Sequence, residues 1–307
     1  MVSQTMTFPK PFIERYNSLV DDPEAFFRAL ETPLPKSFRV NPLKGNRNQI
    51  RTQFEQYGFG ITSVPWYEDA FVSDTPNIGA TIEHFTGQIY IQELASMLPP
   101  LAIRNDLKYG KLLDLAAAPG SKTTQAACLM NNRGVILAND SDYLRTSALR
   151  FNIEKQGVVN TVVTNFDART LRLPEPFPVV LLDAPCSSEG TIRKNPAVLR
   201  QWSERLIQTV STLQKQLITN AYNLTAPGGV LLYSTCTFAP EENEGVVQQL
   251  LDTTEATLER VRFQSLQTSP GIEAWRGTPF PGLKHAIRVW PHRTNTDGFF
   301  LAKIRKP

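Results

Sequence analysis

The sequence predicts an α/β fold, and three observations carry that prediction. From Lys111 onward short apolar runs alternate with helical stretches, the runs are apolar on both faces, and the loops after them collect small residues, acids and two cysteines. Strands of that kind, separated by helices, build a parallel sheet covered on both sides. Such sheets bind ligands beyond the carboxyl ends of their strands.

Taken in order, residues 1–100 read as a small mixed α/β domain and residues 101–307 as the main domain. FIERYNSLV forms a helix, Asp22 caps a second helix with Pro23 at its first position, and a short strand follows around Ser37–Val40. GQIYIQELASML reads as an amphipathic helix with Ile89, Leu94 and Leu98 on one face, stopped by Pro99-Pro100, and the boundary is set there. The strands of the sheet are then KLLDLAA, VILAND, NTVVTN, PVVLLDA and GVLLYSTC. Between them lie KTTQAACLM, DYLRTSALRFNIEKQG and the long LRQWSERLIQTVSTLQKQLITNAYNLT as helices. DGFFLAKI closes the fold as an antiparallel pair, with Phe299 and Phe300 on alternate faces.

No run approaches the ~18 consecutive apolar residues of a membrane span, and the N-terminus lacks a basic region followed by an apolar one, so a cytoplasmic protein without membrane partner is expected. Cys128, Cys186 and Cys236, with His84, His285 and His292, are too scattered for a zinc site, and no metal is expected. The net charge is only +3, yet Lys36, Arg39, Lys44, Arg47 and Arg51 fall in a stretch with no acid. Lys36, Arg39, Lys44 and Arg47 are the candidate phosphate contacts, and a solvated face is the alternative. His285 and His292 lie in a basic tail and read as surface or loop-packing residues, with phosphate contact as the second reading.

The first strand of the main domain runs into Asp114-Leu-Ala116-Ala117-Ala118-Pro119-Gly120-Ser121-Lys122. Small residues let backbone approach a ligand, and the helix that follows turns free N–H groups toward a carboxylate or other anion. Neither the phosphate loop G-x-x-x-x-G-K-[ST] nor the dinucleotide pattern G-x-G-x-x-G is present. Asp140 ends the second strand, where a carboxylate accepts from both hydroxyls of a ribose. Asp167, after the third, is suited to an adenine edge. This ordered set describes S-adenosylmethionine as the cofactor.

Asp183-Ala-Pro-Cys186 follows the fourth strand and Ser-Thr-Cys236 the fifth, so two cysteines stand at the same sheet edge. Cys128, inside a helix, reads as a buried hydrophobe. Carbon 5 of a pyrimidine is a poor nucleophile until a soft nucleophile adds at carbon 6, and a thiolate suits that task. Asp183 is placed to bond ring nitrogen 3 and the amino group, while a second cysteine, or a base it positions, removes the proton from carbon 5.

DLAAAPGSKT, AND, NFDAR, DAPCSSEGTIRKNP and STCTFAPEENE resemble the Sun (Fmu) type RNA 5-methylcytosine methyltransferases over roughly residues 80–307. RYNSL, PKSFRVNPLK and RVWPHRTNTDGFFLAKIRK extend the likeness to both ends. The resemblance implies a Rossmann-like S-adenosylmethionine-dependent methyltransferase with a small N-terminal α/β RNA-binding domain of ferredoxin-like or RNA-recognition type. It implies Cys236 as nucleophile and Cys186 as the residue assisting release. The cofactor contacts it implies are Ala116, Ala117, Ala118, Pro119, Gly120, Ser121, Lys122, Asp140, Asp167 and Asp183. Ser121 stands where the family commonly has a second glycine. Lys122 would pair the methionine carboxylate or orient the loop.

The expected reaction is methyl transfer to carbon 5 of a cytosine in RNA, with transfer RNA preferred over ribosomal RNA because the chain carries no added C-terminal modules, and with a monomer as the default. Three other readings stand beside it. In a DNA cytosine-5 methylase the Pro-Cys element would be the nucleophile; a small-molecule methyltransferase needs no covalent thiol; a non-catalytic RNA-binding assembly factor needs neither cysteine.

Overall fold

The computed structural model describes residues 6–307. Two sheets organise it. The smaller contains β1 (Lys36–Val40), β2 (Ile61–Ser63), β3 (Ala70–Ser73) and β4 (Ile89–Ile91) in the order β2-β3-β1-β4, every pair antiparallel. With helices Arg47–Gln56 after β1 and Ile82–Phe85 before β4, this is the β-α-β-β-α-β succession of a ferredoxin-like unit. Alternation along β1 decides its two faces: Phe38 and Val40 join Ile50, Phe54 and Phe71 in the core of that unit, whereas Ser37 and Arg39 turn toward the main domain.

The larger sheet contains β5 (Lys111–Asp114), β6 (Val135–Asn139), β7 (Thr161–Thr164), β8 (Phe177–Asp183) and β9 (Thr225–Thr235), all parallel where they pair. Beyond them come β10 (Thr257–Glu259), β11 (Ser269–Pro270), a small separate hairpin of β12 (Ala274–Trp275) and β13 (Thr278–Pro279), then β14 (Ile287–Val289) and β15 (Phe299–Arg305). The order is β11-β14-β15-β9-β8-β5-β6-β7, with β10 beside β15. It reverses at β5, whose neighbours are β6 and β8, so a crevice opens beyond the carboxyl end of β5. DGFFLAKI is a single strand inserted antiparallel between β9 and β14. Phe300 packs into the apolar cluster on one face of the sheet and Phe299 into that on the other.

Two expectations change. The stretch 88–100 is not one helix: Ile89–Ile91 pairs with β1, Ala95–Met97 makes a 3₁₀ turn, and Pro99 and Pro100 lie in the first turn of helix Leu98–Ala102. Proline lacks the N–H that the first turn leaves unpaired anyway, so the dipeptide starts a helix here. Nor do the first hundred residues pack as one unit. Helix Lys10–Leu19 and the Asp22-capped helix Pro23–Glu31, with Ala25 N–H donating to Asp22 at 2.9 Å, bury Phe12, Tyr16, Phe26 and Leu30 against Ile192, Trp202, Phe238 and Trp290 of the main domain. Among the described residues no helix is long and apolar enough to cross a membrane.

Candidate active site

Between the small sheet and the crevice lies a cavity of about 660 Å³, lined by residues 33–37 and 90–93 on one side. Ala118, Ser121, Lys122, Asp183, Cys236 and Asp297 line the other. The two cysteine loops approach because a buried polar cluster ties them. Ser187 Oγ and Thr237 Oγ1 share a hydrogen bond at 2.8 Å, and Gly190 N–H donates to the Cys236 carbonyl at 2.9 Å. Glu189 accepts from Thr237 Oγ1 at 2.7 Å, Tyr16 Oη at 2.5 Å and Trp202 Nε1 at 2.5 Å, so the first N-terminal helix also holds this junction. Glu242, pushed up to about 7 by burial and the nearby Glu189, accepts from Ser187 N–H at 2.9 Å.

The result is a Cys186–Cys236 sulfur separation of 3.2 Å, with both side chains reduced. The hydrogen bond between them moves the thiols apart in acidity. Donation from Cys186 lowers the Cys236 thiol below its ordinary value, against burial and the charge of Asp183, with Lys122 and Ser188 helping; the same bond and burial push Cys186 well up. The two thiols titrate as a pair, with Cys236 the more acidic of the two. Asp183 is fixed from two sides, by Lys122 Nζ at 2.5 Å and Ser234 Oγ at 2.7 Å. Lys122 is buried and also donates to Ser96 Oγ at 3.2 Å. Its charge is paired with Asp183, and it lines the cavity.

The loop after β5 packs so closely on helix Tyr143–Gln156 that its glycine has no room for a side chain. Gly120 has φ +104°, and a Cβ there would lie 2.9 Å from Leu149 Cδ1. Asp140, buried, accepts from Ala118 N–H at 3.1 Å and Asp142 N–H at 3.0 Å, which sets the loop against the end of β6. Asp167 lies beyond β7, half-buried and paired with the exposed Arg169, which keeps its carboxyl below the usual range. Neither Asp140 nor Asp167 lines the cavity itself; they stand along the crevice edge beside it. This backbone cradle with its acids fits S-adenosylmethionine. Asn139, not singled out in the sequence, stitches the edge together, donating to the carbonyls of Leu115 at 3.2 Å and Phe166 at 2.9 Å.

Of the four candidate phosphate contacts, Lys36 lines the cavity mouth. Lys44 is exposed and donates to the carbonyls of Thr86 and Lys155; Arg47 is half-buried over the Phe71 ring. Arg39 is corrected: it has no exposed surface. Its guanidinium donates to Gln92 Oε1 at 2.9 Å, Thr124 Oγ1 at 2.7 Å and the Ser121 carbonyl at 3.2 Å, and it stacks 4.8 Å from the Tyr90 ring centroid. It pins the small sheet to the cradle helix and has no face left for a phosphate. Arg193 and Lys194, unremarked in the sequence, line the cavity. The His292 side chain, in the short helix Pro291–Thr294, is buried against Phe26 and Trp290, and His285, in the 3₁₀ turn Leu283–His285, meets the Leu258 carbonyl at 3.3 Å, so both have packing roles.

Residues 101–305 match the family of 16S rRNA methyltransferases RsmB/F, and residues 8–94 match the N-terminal domain of 16S rRNA methyltransferase RsmF. This chain belongs to the RsmB/F methyltransferase family. The ribosomal RNA small subunit methyltransferase F of Erwinia tasmaniensis is 41% identical over 97% of this chain and 63% of its own length. The chain thus spans a little under two thirds of such relatives. The tRNA (cytosine(49)-C(5))-methyltransferase of Pyrococcus abyssi is 44% identical over 97% of this chain and 96% of its own. Among solved structures, a methyltransferase homologue from Pyrococcus horikoshii superposes with a TM-score of 0.86 at 35% identity, covering 98% of this chain and 96% of that one. The fold is therefore the Rossmann-like methyltransferase fold with an N-terminal α/β domain.

Proposed function

We propose that this chain is an S-adenosylmethionine-dependent RNA (cytosine-5)-methyltransferase acting on transfer RNA through a covalent cysteine adduct. The observation that carries the reading is the 3.2 Å approach of two thiols of opposite acidity beside Asp183. A small-molecule methyltransferase or an RNA-binding scaffold has no use for that pair. S-adenosylmethionine, held by the Ala116–Lys122 loop with Asp140 and Asp167, supplies an electrophilic methyl group. The thiolate of Cys236 adds to carbon 6 of the cytosine, and the displaced π electrons make carbon 5 nucleophilic. Asp183, locked by Lys122 and Ser234, meets the amino edge of the base. After transfer, a base that Cys186 positions, or Cys186 itself once it has given up its own proton, takes the carbon 5 proton, the ring double bond reforms and the bond to Cys236 breaks.

Within residues 1–100 the small sheet and its helices serve as the RNA-binding part, with the helices of residues 10–31 docked on the catalytic residues 101–307 and with Lys36, Lys44 and Arg47 at phosphates. The relative matched along its full length supports transfer RNA; the family model and the longer relatives support ribosomal RNA as the second reading. A monomer is the default state, and thiols that act only when reduced suit the cytoplasm.

Trapping tests the assignment. C186A with transcribed tRNA and S-adenosylmethionine should accumulate a protein–RNA species that survives denaturing electrophoresis, and C236A should yield none. An adduct with C236A but not C186A reverses the roles and returns the Pro-Cys element as nucleophile, as in DNA methylases.

A further inference from the structure

The mechanism above leaves one pair of acids in the cavity unused. Glu93, just after β4, and Asp297, just before β15, come together there although they belong to different domains. Their carboxyls are not equivalent. Glu93 is saturated by backbone donors: Asp297 N–H reaches Oε1 at 2.9 Å and Ser96 N–H reaches Oε2 at 3.1 Å. Burial holds its carboxyl above the ordinary value, and those bonds work against that shift. Asp297 has no such support. It is 4% exposed, and its Oδ1 is buried with no hydrogen-bond partner among the described residues. Its loop is held rigidly, because Arg193 donates to the Thr296 carbonyl at 3.1 Å and Asn295 Oδ1 at 2.8 Å while also binding the carbonyls of Thr32 and Pro33. Glu93 is half-buried and Asp297 buried; two carboxyls this close resist ionising together, and the one without donors keeps the proton.

Cytosine presents an amino donor and, next to it, two acceptors, ring nitrogen 3 and the carbon 2 carbonyl. Asp183, clamped by a lysine and a serine hydroxyl, is an acceptor and suits the amino group. The acceptor edge needs a donor. We propose that Asp297 is a further catalytic residue, a carboxylic acid kept neutral by Glu93 that donates its proton in a hydrogen bond to the acceptor edge of the target pyrimidine as Cys236 adds to carbon 6. Electron density released into the ring by the thiolate collects on that edge, so a donor there gains strength in the transition state. The inference rests on the cytosine-5 reading above. The groups facing Asp297 are Glu93, Cys236, Lys194 and Arg193; burial, then Glu93 and Cys236, push its carboxyl up to about 8, and the two bases oppose them.

Single-turnover methylation of in-vitro transcribed tRNA, followed across pH 6–10, tests the proposal. The wild type should lose rate above pH about 8, as Asp297 surrenders its proton. D297A should transfer methyl about 10²-fold more slowly, the usual loss for one such donor, with unchanged S-adenosylmethionine affinity. D297N, isosteric and still a donor, should keep most of the rate and lose the alkaline fall. A D297A rate equal to wild type, an alkaline fall retained in D297N, or a D297N that binds cofactor and RNA yet is inactive would each overturn the inference. D297N carries the test should D297A fail to fold. Both substitutions are repeated in the C186A background. No adduct with C186A alone refutes the cytosine-5 reading itself, whereas adduct formation at the C186A rate in C186A/D297A refutes only the role of Asp297.

Discussion

Replacing Arg39 separates an interior pin from a phosphate contact. In R39A, Gln92 Oε1 loses its charged donor, a cost of about 1–3 kcal/mol for a buried acceptor left unpaired. Thr124 Oγ1 still donates to the Gly120 carbonyl at 2.6 Å, so its loss is smaller. The space vacated by the stem adds roughly 2–3 kcal/mol, as for other long buried side chains cut to alanine. Release of a guanidinium from a site without a carboxylate partner offsets part of this, leaving a net loss of about 3 kcal/mol. R39M keeps the stem and removes the donors, so it should lose about half as much. Guanidinium chloride unfolding, monitored by near-UV circular dichroism, gives both values. S-adenosylmethionine affinity should fall with them, because Ser121 and Thr124 begin the helix that follows the cradle. Stability within about 0.5 kcal/mol of wild type, together with weaker RNA binding and a flatter salt dependence, would refute this and restore Arg39 to the RNA surface.

Three further outcomes are expected. D140A should weaken S-adenosylmethionine binding by about 1–3 kcal/mol, through a lost charged acceptor and a freed Ala118 N–H; calorimetry with unchanged affinity would remove Asp140 from the site. G120A places a Cβ against Leu149 at a backbone angle that L residues rarely adopt, so it should cost about 1–3 kcal/mol of stability, and a Tm equal to wild type would show that the cradle adapts. Because Cys236 is lowered chiefly by its bond from Cys186, its alkylation by iodoacetamide should rise at a pH below that of an ordinary thiol, and C186A should move the rise upward; mass-spectrometric labelling that shows no shift would break the paired-thiol account.

The main sheet was legible because its strands are apolar on both faces and its ligand-bearing residues follow them directly. Asp114, Asp140, Asp183 and the two cysteines could be placed by counting strand ends. What escaped was whatever depends on two distant segments meeting. Arg39 sits in a run of bases, and only the alternation of β1 against the cradle helix takes it inside. Ile89–Ile91 carries residues that fit a helical face, but pairing with Phe38 and Val40 claims them as a strand. Glu93 and Asp297 are single acids in unremarkable contexts, made neighbours by Arg193 and by the docking of one domain on the other.

The placement of β15 has a consequence for biosynthesis. It fills the gap between β9 and β14 and also seats β10, so three strands wait on Phe299–Arg305. Until that segment has left the ribosome, the Val230–Thr235 edge of β9, fully buried in the finished protein, is an unpaired apolar strand. A nascent or truncated chain ending before Phe299 would carry both cysteines of the candidate site and the whole cradle, yet offer that edge to any other strand. Such a chain should need a chaperone, and should aggregate rather than persist as a smaller folded protein.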